Sequence, residues 1–378
     1  MMLDSQPKNA ASVLHMQDVQ QMTPLHHGAM FDHVDIVQYL LDQGSNIDAR
    51  DKEGRSAVLL AASRSAWRAV TALIDRGCRL NEKDDQNRNI LHFVVMNGGD
   101  IDALAVILLR KEDFSDKKLC ECFLNERDAT GCTPLHYASR AGHLKSLENL
   151  IRLGAQVNLK DKDDQSPLHF AARYGRRNTC RRLLDSSSGQ FIMNETDGSG
   201  RTALHIAAEG GHVKVVQLLM QRGALVHTDH AGRSPLHLAA ASGYTWTIKQ
   251  LLAVHAHLLD KVDKDGNTAL HLAAENGQSR AVQHLLDRNA SVKVMNDQGQ
   301  TALGLAVEMQ NAETASTFIN NCRWHEIMNA KCGNLCVMGR MIQHLPEVAA
   351  VVLDKCHTTA DAEDAKAENF YVRISTYY

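Results

Sequence analysis

The sequence predicts an all-α fold, a solenoid built from repeated pairs of short helices, and three observations support this class. A tetrad of the form Thr/Ser-Pro/Ala-Leu-His recurs along the chain, as in TPLH from Thr23 and TALH from Thr268. Small alanines and then glycines follow the tetrad, as in AAEGG from Ala207. Beyond the glycines, apolar residues are spaced three and four apart, which is the periodicity of one helix face. Such a unit cannot bury its apolar face alone, so neighbouring units are expected to stack.

The tetrad predicts the start of the first helix in each unit. A Thr or Ser can cap the free amides of a helix, and a proline is well suited to the first turn because its missing N–H would have no partner there. Small residues such as Ala207 allow the next unit to approach closely, and Gly211 is expected to end the helix. Val215 and Leu219 then belong to the buried face of a second helix.

An aspartate followed by a glycine three residues later precedes most of the tetrads. Both residue types favour turns. We therefore expect β-hairpin finger loops that project from the stack. The pairs are Asp51 and Gly54, Asp128 and Gly131, Asp197 and Gly200, Asp229 and Gly232, and Asp263 and Gly266.

The tetrads are regularly spaced. Successive first residues are 33, 33, 44, 33, 36, 32, 34 and 33 positions apart. They are Thr23, Ser56, Asn89, Thr133, Ser166, Thr202, Ser234, Thr268 and Thr301. Asn334 lies one further period along the chain, in a stretch that keeps the hydrophobic pattern of two helices but has lost the tetrad.

A period of 33 residues built on T-P-L-H-x-A-A resembles the ankyrin-repeat family, from Asp18 to about residue 320. The resemblance implies a non-catalytic surface that binds protein partners. The expected organisation is an N-terminal tail (1–17), nine ankyrin repeats (18–321) with an insertion at about 97–127, a degenerate tenth repeat or junction segment (322–356), and a linker with a C-terminal tail (357–378).

The tetrad histidines are the first candidates for chemistry, because a histidine pair could bind a metal or poise a proton. A catalytic histidine is needed only once, whereas these recur with the repeat. Zinc needs three or four ligands within about 2.0–2.3 Å of one ion, but stacked helices lie roughly 10 Å apart. We therefore expect a structural motif without metal or cofactor, in which each imidazole bonds its own cap and the next loop. The pairs are Thr23 and His26, Thr133 and His136, Ser166 and His169, Thr202 and His205, Ser234 and His237, and Thr268 and His271.

Composition argues against several other classes of protein. The net charge of −3, with no Lys/Arg block, disfavours nucleic acid as a partner. The longest apolar runs are far shorter than the roughly 20 residues of a membrane span. Nine scattered cysteines and no opening signal segment indicate a cytoplasmic protein. Motifs of nucleotide-binding or hydrolytic enzymes are missing. Cys120 with Cys122, and Cys332 with Cys336, could be metal or redox pairs, but packed or free thiols are favoured.

The segment from Arg323 to Cys356, followed by ENFYVRI, resembles the junction between the ankyrin repeats and the membrane domain of TRPA-type transient receptor potential cation channels. The matching elements are Trp324, MIQHLPE from Met341, VLD from Val352, Cys356 and FYV from Phe370. The resemblance implies a cytosolic sensing and assembly domain, at the cytosolic face of a membrane, with TRPA channel subunits as partners. The candidate junction contacts are Trp324, Leu345, Pro346, Leu353 and Cys356.

The chain departs from this channel class at its end. It finishes with RISTYY and contains no candidate membrane span, so a truncated gene model, a splice form and a complete protein all remain open. The rival function is a free-standing cytosolic adaptor that binds a protein partner. If the segment is a channel junction, its apolar residues should remain partly exposed; these are Ile342, Leu345, Val351, Val352 and Leu353.

Overall fold

A computed structural model describes residues 13–104, 123–330 and 337–362, the last six of these by their backbone alone. The chain divides into two compact units, Met1–Gly198 and Ser199–Tyr378. Within each unit, the described residues form stacked pairs of short helices joined by turns, which is the predicted ankyrin-type class.

The first unit contains two layers of helices. The first helices pack side by side, α1 on α3, α3 on α5, α5 on α6 and α6 on α8, while the second helices α2 and α4, and α7 and α9, pack in the other layer. The elements are α1 Pro24–Met30, α2 Val34–Asp42, α3 Ala57–Ser63, α4 Trp67–Asp75, α5 Ile90–Met96, α6 Pro134–Ala141, α7 Leu144–Arg152, α8 Pro167–Arg173, α9 Arg177–Leu184 and α10 Gly189–Ile192.

The second unit repeats this arrangement. Its first helices pack as α11, α13, α15, α17 and α20 in turn, and its second helices as α12, α14, α16, α18 and α21. The elements are α11 Ala203–Glu209, α12 Val213–Gln221, α13 Pro235–Ala241, α14 Thr245–Val254, a 3₁₀ turn at Ala256–Leu258, α15 Ala269–Glu275, α16 Ser279–Asp287, α17 Ala302–Glu308, α18 Ala312–Asn320, α19 Trp324–Met328, α20 Val337–His344 and α21 Pro346–Ala362.

The tetrads start the first helices as predicted. Each of the nine tetrad residues has an extended backbone and directly precedes the first helical residue. The paired alanines, such as Ala171 and Ala172, are fully buried between the layers, and so are the apolar residues of the second helices, such as Leu147 and Leu150. The small residues therefore set the close spacing of neighbouring repeats.

The finger loops are tight turns rather than β-hairpins with strands. In the described part of the chain β-type pairing is limited to isolated bridge residues: Arg50 pairs with Ser56, and the other bridge residues are Thr196 and Thr202. In this finger the N–H of Asp51 donates to the carbonyl of Arg55, while the Asp51 carboxylate accepts the N–H groups of Glu53 and Arg55. The Asp51 carboxylate accepts these amide N–H groups, and the helix cap follows directly after Arg55. No residues therefore remain for a ladder of backbone hydrogen bonds between two strands.

A regular backbone contact, which the repeat pattern does not predict, joins successive fingers. In the first unit, the N–H of Asp85 donates to the carbonyl of Glu53 at 3.0 Å, and Lys162 donates to Thr130 in the same way. In the second unit, Lys264 donates to Ala231 at 3.0 Å. Each finger is thus bonded to the one before it through the main chain.

The irregular segments are described only in part. Most of the predicted insertion at 97–127 lies outside the described residues. The three additional residues after Asp185 accompany the short helix α10, in which Ile192 is buried and Phe191 is exposed. Helix α21 continues to Ala362 and so enters the segment assigned to the linker. The domain boundaries themselves stay a prediction.

The finger contact generates a test with two glycines of the same backbone conformation. Gly131 has φ +84° and Gly77 has φ +85°, but a methyl group at Gly131 would lie 2.8 Å from the Lys162 nitrogen, whereas one at Gly77 meets nothing within 4 Å. Gly77→Ala should cost about 1–2 kcal/mol, the strain of a left-handed non-glycine residue. Gly131→Ala should cost at least about 1 kcal/mol more, because it also displaces a backbone hydrogen bond. Denaturant titration with amide hydrogen exchange measures both; equal losses would contradict the finger contact.

Candidate functional site: the repeat histidines and the C-terminal helices

The tetrad histidine links its own helix cap to the next finger. His136 is fully buried, and its Nδ1 accepts the backbone N–H of Thr133 at 3.0 Å. Because Nδ1 accepts a hydrogen bond from the main chain, the ring proton is assigned to Nε2, which then donates to the carbonyl of Gln165 at 3.0 Å. Thr133 and His136 form a reciprocal capping box, with histidine in the position often occupied by Glu or Gln.

The same geometry recurs in both units. His26, His92, His205, His237 and His271 bond the last residue of the following finger at Nε2···O distances of 3.1–3.2 Å. Ser166 and His169 form the same capping box. The structure therefore places all six predicted cap and histidine pairs at equivalent positions, one per repeat, rather than in one cluster.

Burial favours the neutral imidazole at five of these histidines. Burial lowers the pKa of His92 and of His136 to about 4. Burial also lowers the pKa of His26, His237 and His271. A protonated ring would direct an N–H at the backbone amide that Nδ1 now accepts. Across residues 13–104, 123–330 and 337–356, no three His, Cys, Asp or Glu side chains are grouped so that they could hold a metal ion.

The candidate junction begins with Trp324 in α19, which is 9% exposed. The Nζ atom of Lys355 in α21 lies 6.0 Å from the centre of the indole ring. The same Nζ donates to the carbonyl of Ile319 at 2.8 Å and to Oδ1 of Asn320 at 3.0 Å. The structure thus brings Trp324, the C-terminal end of α18 and helix α21 together around one ammonium group.

The expectation that the junction residues are partly exposed is wrong for two of them. Leu345 and Val352 are 8% and 3% exposed, because α20 and α21 pack on α17 and α18 as a further helix pair and turn these side chains inward. Ile342, Val351 and Leu353 are 39%, 42% and 43% exposed. Pro346 is exposed and is the first residue of α21, the position in which proline is favoured.

Three of the described thiols are poor nucleophiles. Burial raises the pKa of Cys132 and of Cys180 to about 12, and it also raises the pKa of Cys356, which is half-buried in α21. The thiolate is the reactive form of cysteine, so these environments oppose reactivity. The pairs Cys120 with Cys122 and Cys332 with Cys336 lie outside the described residues.

Comparison with known proteins places this architecture in a family. The model for ankyrin repeats (three copies) matches residues 5–84, 25–118, 60–161, 91–193, 168–261 and 236–328. The chain belongs to the ankyrin-repeat family. The nine tetrad caps all lie within these matches, so the repeat register derived above and the family assignment agree.

This ankyrin-repeat protein is also similar to channel proteins. It is 49% identical over 377 residues to the transient receptor potential cation channel subfamily A member 1 of Drosophila melanogaster, and 39% identical over 375 residues to that of Homo sapiens. These alignments cover 99% and 98% of this chain but 31% and 33% of the relatives, so the chain spans about a third of their length. Human Inversin is 30% identical over 200 residues.

No helix in the described ranges combines the length and the apolar character needed to cross a bilayer. The resemblance of the C-terminal segment to the TRPA-type junction, inferred from about 50 residues, is supported by an alignment that includes nearly all of this ankyrin-repeat protein.

One feature of the site could not be predicted from the sequence: no pattern indicated that Lys355 caps the end of α18. A lysine one period beyond a helix end is too common to identify it. The hydrogen bond from Nε2 to the following finger was predicted as a bond to backbone groups of the next loop. Its acceptor is the residue before the next tetrad, 29 residues after His136 and after His271.

The neutral histidines predict a pH dependence of stability. In the unfolded chain His136 takes up a proton near its ordinary pKa of 6.5, but in the folded chain only near 4. Its stabilising contribution is therefore complete above pH 6.5 and is lost as pH falls towards 4. His136→Ala should lower stability at pH 7.5 by about 1–3 kcal/mol, because a buried carbonyl loses its donor, and should weaken the pH dependence below 6.5. Thermal unfolding from pH 7.5 to 4.5 measures both effects.

The matched control is His15→Ala, since His15 is exposed. It should leave both the stability at pH 7.5 and the pH dependence unchanged. The neutral-scaffold interpretation fails if both variants follow the wild-type pH profile, or if purified protein contains stoichiometric zinc.

Proposed function

We propose that this ankyrin-repeat protein is a non-catalytic, cytoplasmic binding module that acts as the sensing and assembly arm of a TRPA-type cation channel. The observation that carries the proposal is the similarity to two TRPA channel proteins along 98–99% of the chain, junction segment included. The module would act at the cytosolic face of a membrane, through contacts with channel subunits.

The C-terminal helix pair offers a surface for such contacts. On α21, Val348, Ala349 and Val352 form the buried face, and Val351 and Leu353 lie on either side of it with about two-fifths of each side chain exposed. Single exposed apolar residues are common on protein surfaces. Here the helix pair follows the last regular repeat, where a TRPA-type channel would continue, so we assign its apolar flanks to contact with channel subunits.

A free-standing adaptor is the competing function. It is favoured by the similarity of about half of the chain to Inversin and to the plant protein Vapyrin-like, each at 30% identity. In an adaptor, the repeats would bind a protein partner without any channel subunit, and the exposed apolar residues of α20 and α21 would not matter for that binding.

The two functions differ in a co-purification experiment. The full chain should co-purify with a full-length TRPA subunit from the same organism, and the double variant Val351→Ser, Leu353→Ser should reduce the recovered amount at least tenfold without changing the thermal midpoint. Both side chains are partly exposed, so the variant avoids the buried Leu345. Val254→Ser, at a residue 64% exposed on α14, is the matched control and should bind like wild type.

Two results would count against the channel arm. One is the absence of co-purification with any TRPA subunit while a different protein is captured through the repeats. The other is wild-type recovery of the double variant, which would remove the C-terminal helices from the contact. Ionic current from the chain expressed alone would contradict its assignment as a module that works through a partner.

A further inference from the structure

Two neighbouring first helices of the first unit share an exposed face with a distinct chemistry. Tyr137 and Arg140 lie at positions i and i+3 of α6, and Phe170, Arg173 and Tyr174 lie at i, i+3 and i+4 of α8 and its C-cap. Residues at these spacings share one side of a helix. Because α6 packs on α8, the five side chains form one surface, here called the arginine–aromatic face.

The aromatic rings of this face are fixed by the scaffold beneath them. The Phe170 ring packs edge-on against His136, with ring centres 5.3 Å apart, and the Tyr137 ring packs in the same way against His92 at 5.7 Å. The Tyr137 hydroxyl donates to the Asp128 carboxylate at 2.5 Å. The face therefore needs little reordering to bind a ligand, which lowers the entropic cost of binding.

The guanidinium group of Arg140 is held over an aromatic ring and not in an ion pair. Its central carbon lies 5.3 Å from the centre of the Tyr174 ring, and Tyr174 is 41% exposed. Among the described residues no carboxylate lies within ion-pair distance of Arg140. The nearby Asp128 carboxylate is instead bonded by Tyr137. Arg140 thus presents its N–H donors to solvent in a prearranged plane.

The repeat scaffold does not require this chemistry. At the same register in the second unit, Glu209 replaces arginine at the end of α11, and Glu308 does so at the end of α17. Leu272 stands where the first unit has Tyr137 and Phe170. Glu209 pairs with Arg201 at 3.2 Å, so the acidic versions are neutralised locally. The first helices α1, α3, α5, α6 and α8 contain no Asp or Glu, so no carboxylate on these helices neutralises Arg140.

We propose that the arginine–aromatic face binds an acidic peptide segment that carries an aromatic or large apolar side chain. The Arg140 guanidinium matches a carboxylate in charge and geometry, and the partly exposed rings of Tyr137, Phe170 and Tyr174 offer apolar contact. Arg and Tyr are also the residue types that contribute most to protein interfaces. This surface and its ligand are separate in sequence from the C-terminal helices of the proposed function, so either assignment can fail without the other.

Nucleic acid could also use arginine and aromatic side chains, but the surroundings disfavour it. The finger that leads into α8 exposes Asp163 and Asp164, and its Asp161 carboxylate interacts electrostatically with Arg173 of the face. The whole chain carries a net charge of −3. A continuous phosphate backbone would pass close to these carboxylates. A peptide with a few acidic residues can place them at the arginines and avoid the aspartates.

The test uses the full chain and a displayed library of random twelve-residue peptides as the probe. We expect selected sequences to be enriched in Asp and Glu next to Phe, Tyr, Trp or Leu. The best of these, made as a fluorescent peptide, should bind wild type with a Kd that rises at least tenfold in Arg140→Glu and in Tyr174→Ala. Arg140→Lys, which keeps the charge but loses the planar stack, should lie between wild type and Arg140→Glu.

Arg280→Glu is the matched control, since it makes the same charge change at an exposed residue of α16 and should leave the Kd unchanged. Thermal unfolding of each variant checks that the repeats remain folded. The proposal is overturned if the selected peptides show no acidic enrichment, if Arg280→Glu weakens binding as much as Arg140→Glu, or if a twelve-nucleotide oligo(U) competes as well as the selected peptide.

Discussion

In most of its repeats the fold depends on one contact, the hydrogen bonds that a neutral imidazole makes between two successive repeats; Leu59 and Gly304 stand at the histidine position in two of them. A short helix begins with free backbone amides and cannot be stable alone. In this chain the ring of His237 accepts the N–H of the Ser234 cap and donates to the carbonyl of Asn267 in the next finger. One side chain therefore completes the helix start and fixes the spacing to the neighbour, which is why the pair recurs with the period of the repeat.

Most of the fold could be predicted from the repeat period, because the residues that recur with this period make contacts that every repeat needs. The cap residues, the alanines between the layers and the finger aspartates are each required once per repeat, so their positions could be predicted from spacing. Whether the fingers contain β-strands could not be predicted from the spacing. Turn formers such as Asp51 and Gly54 predict a reversal of the chain, but whether strands extend from it depends on which amides the carboxylate binds.

The C-terminal segment was harder to predict because its contacts occur once in the chain and do not recur with the repeat period. Its hydrophobic pattern indicated two helices, and both are present. The pattern could not show which apolar residues face inward, since Leu345 and Leu353 look alike in sequence. Packing against α17 and α18 decides between them, and it buries the first while leaving the second exposed.

Function in a repeat protein is confined to the positions that the stack leaves free. The cap, the histidine and the alanines are occupied by contacts between neighbours, so a change there affects stability before it affects binding. The outward positions of the first helices bear no such constraint, and they vary from Arg140 and Tyr174 in the first unit to Glu209 in the second. Differences among equivalent positions are therefore a better guide to binding surfaces in this protein than the recurring residues, which report the scaffold.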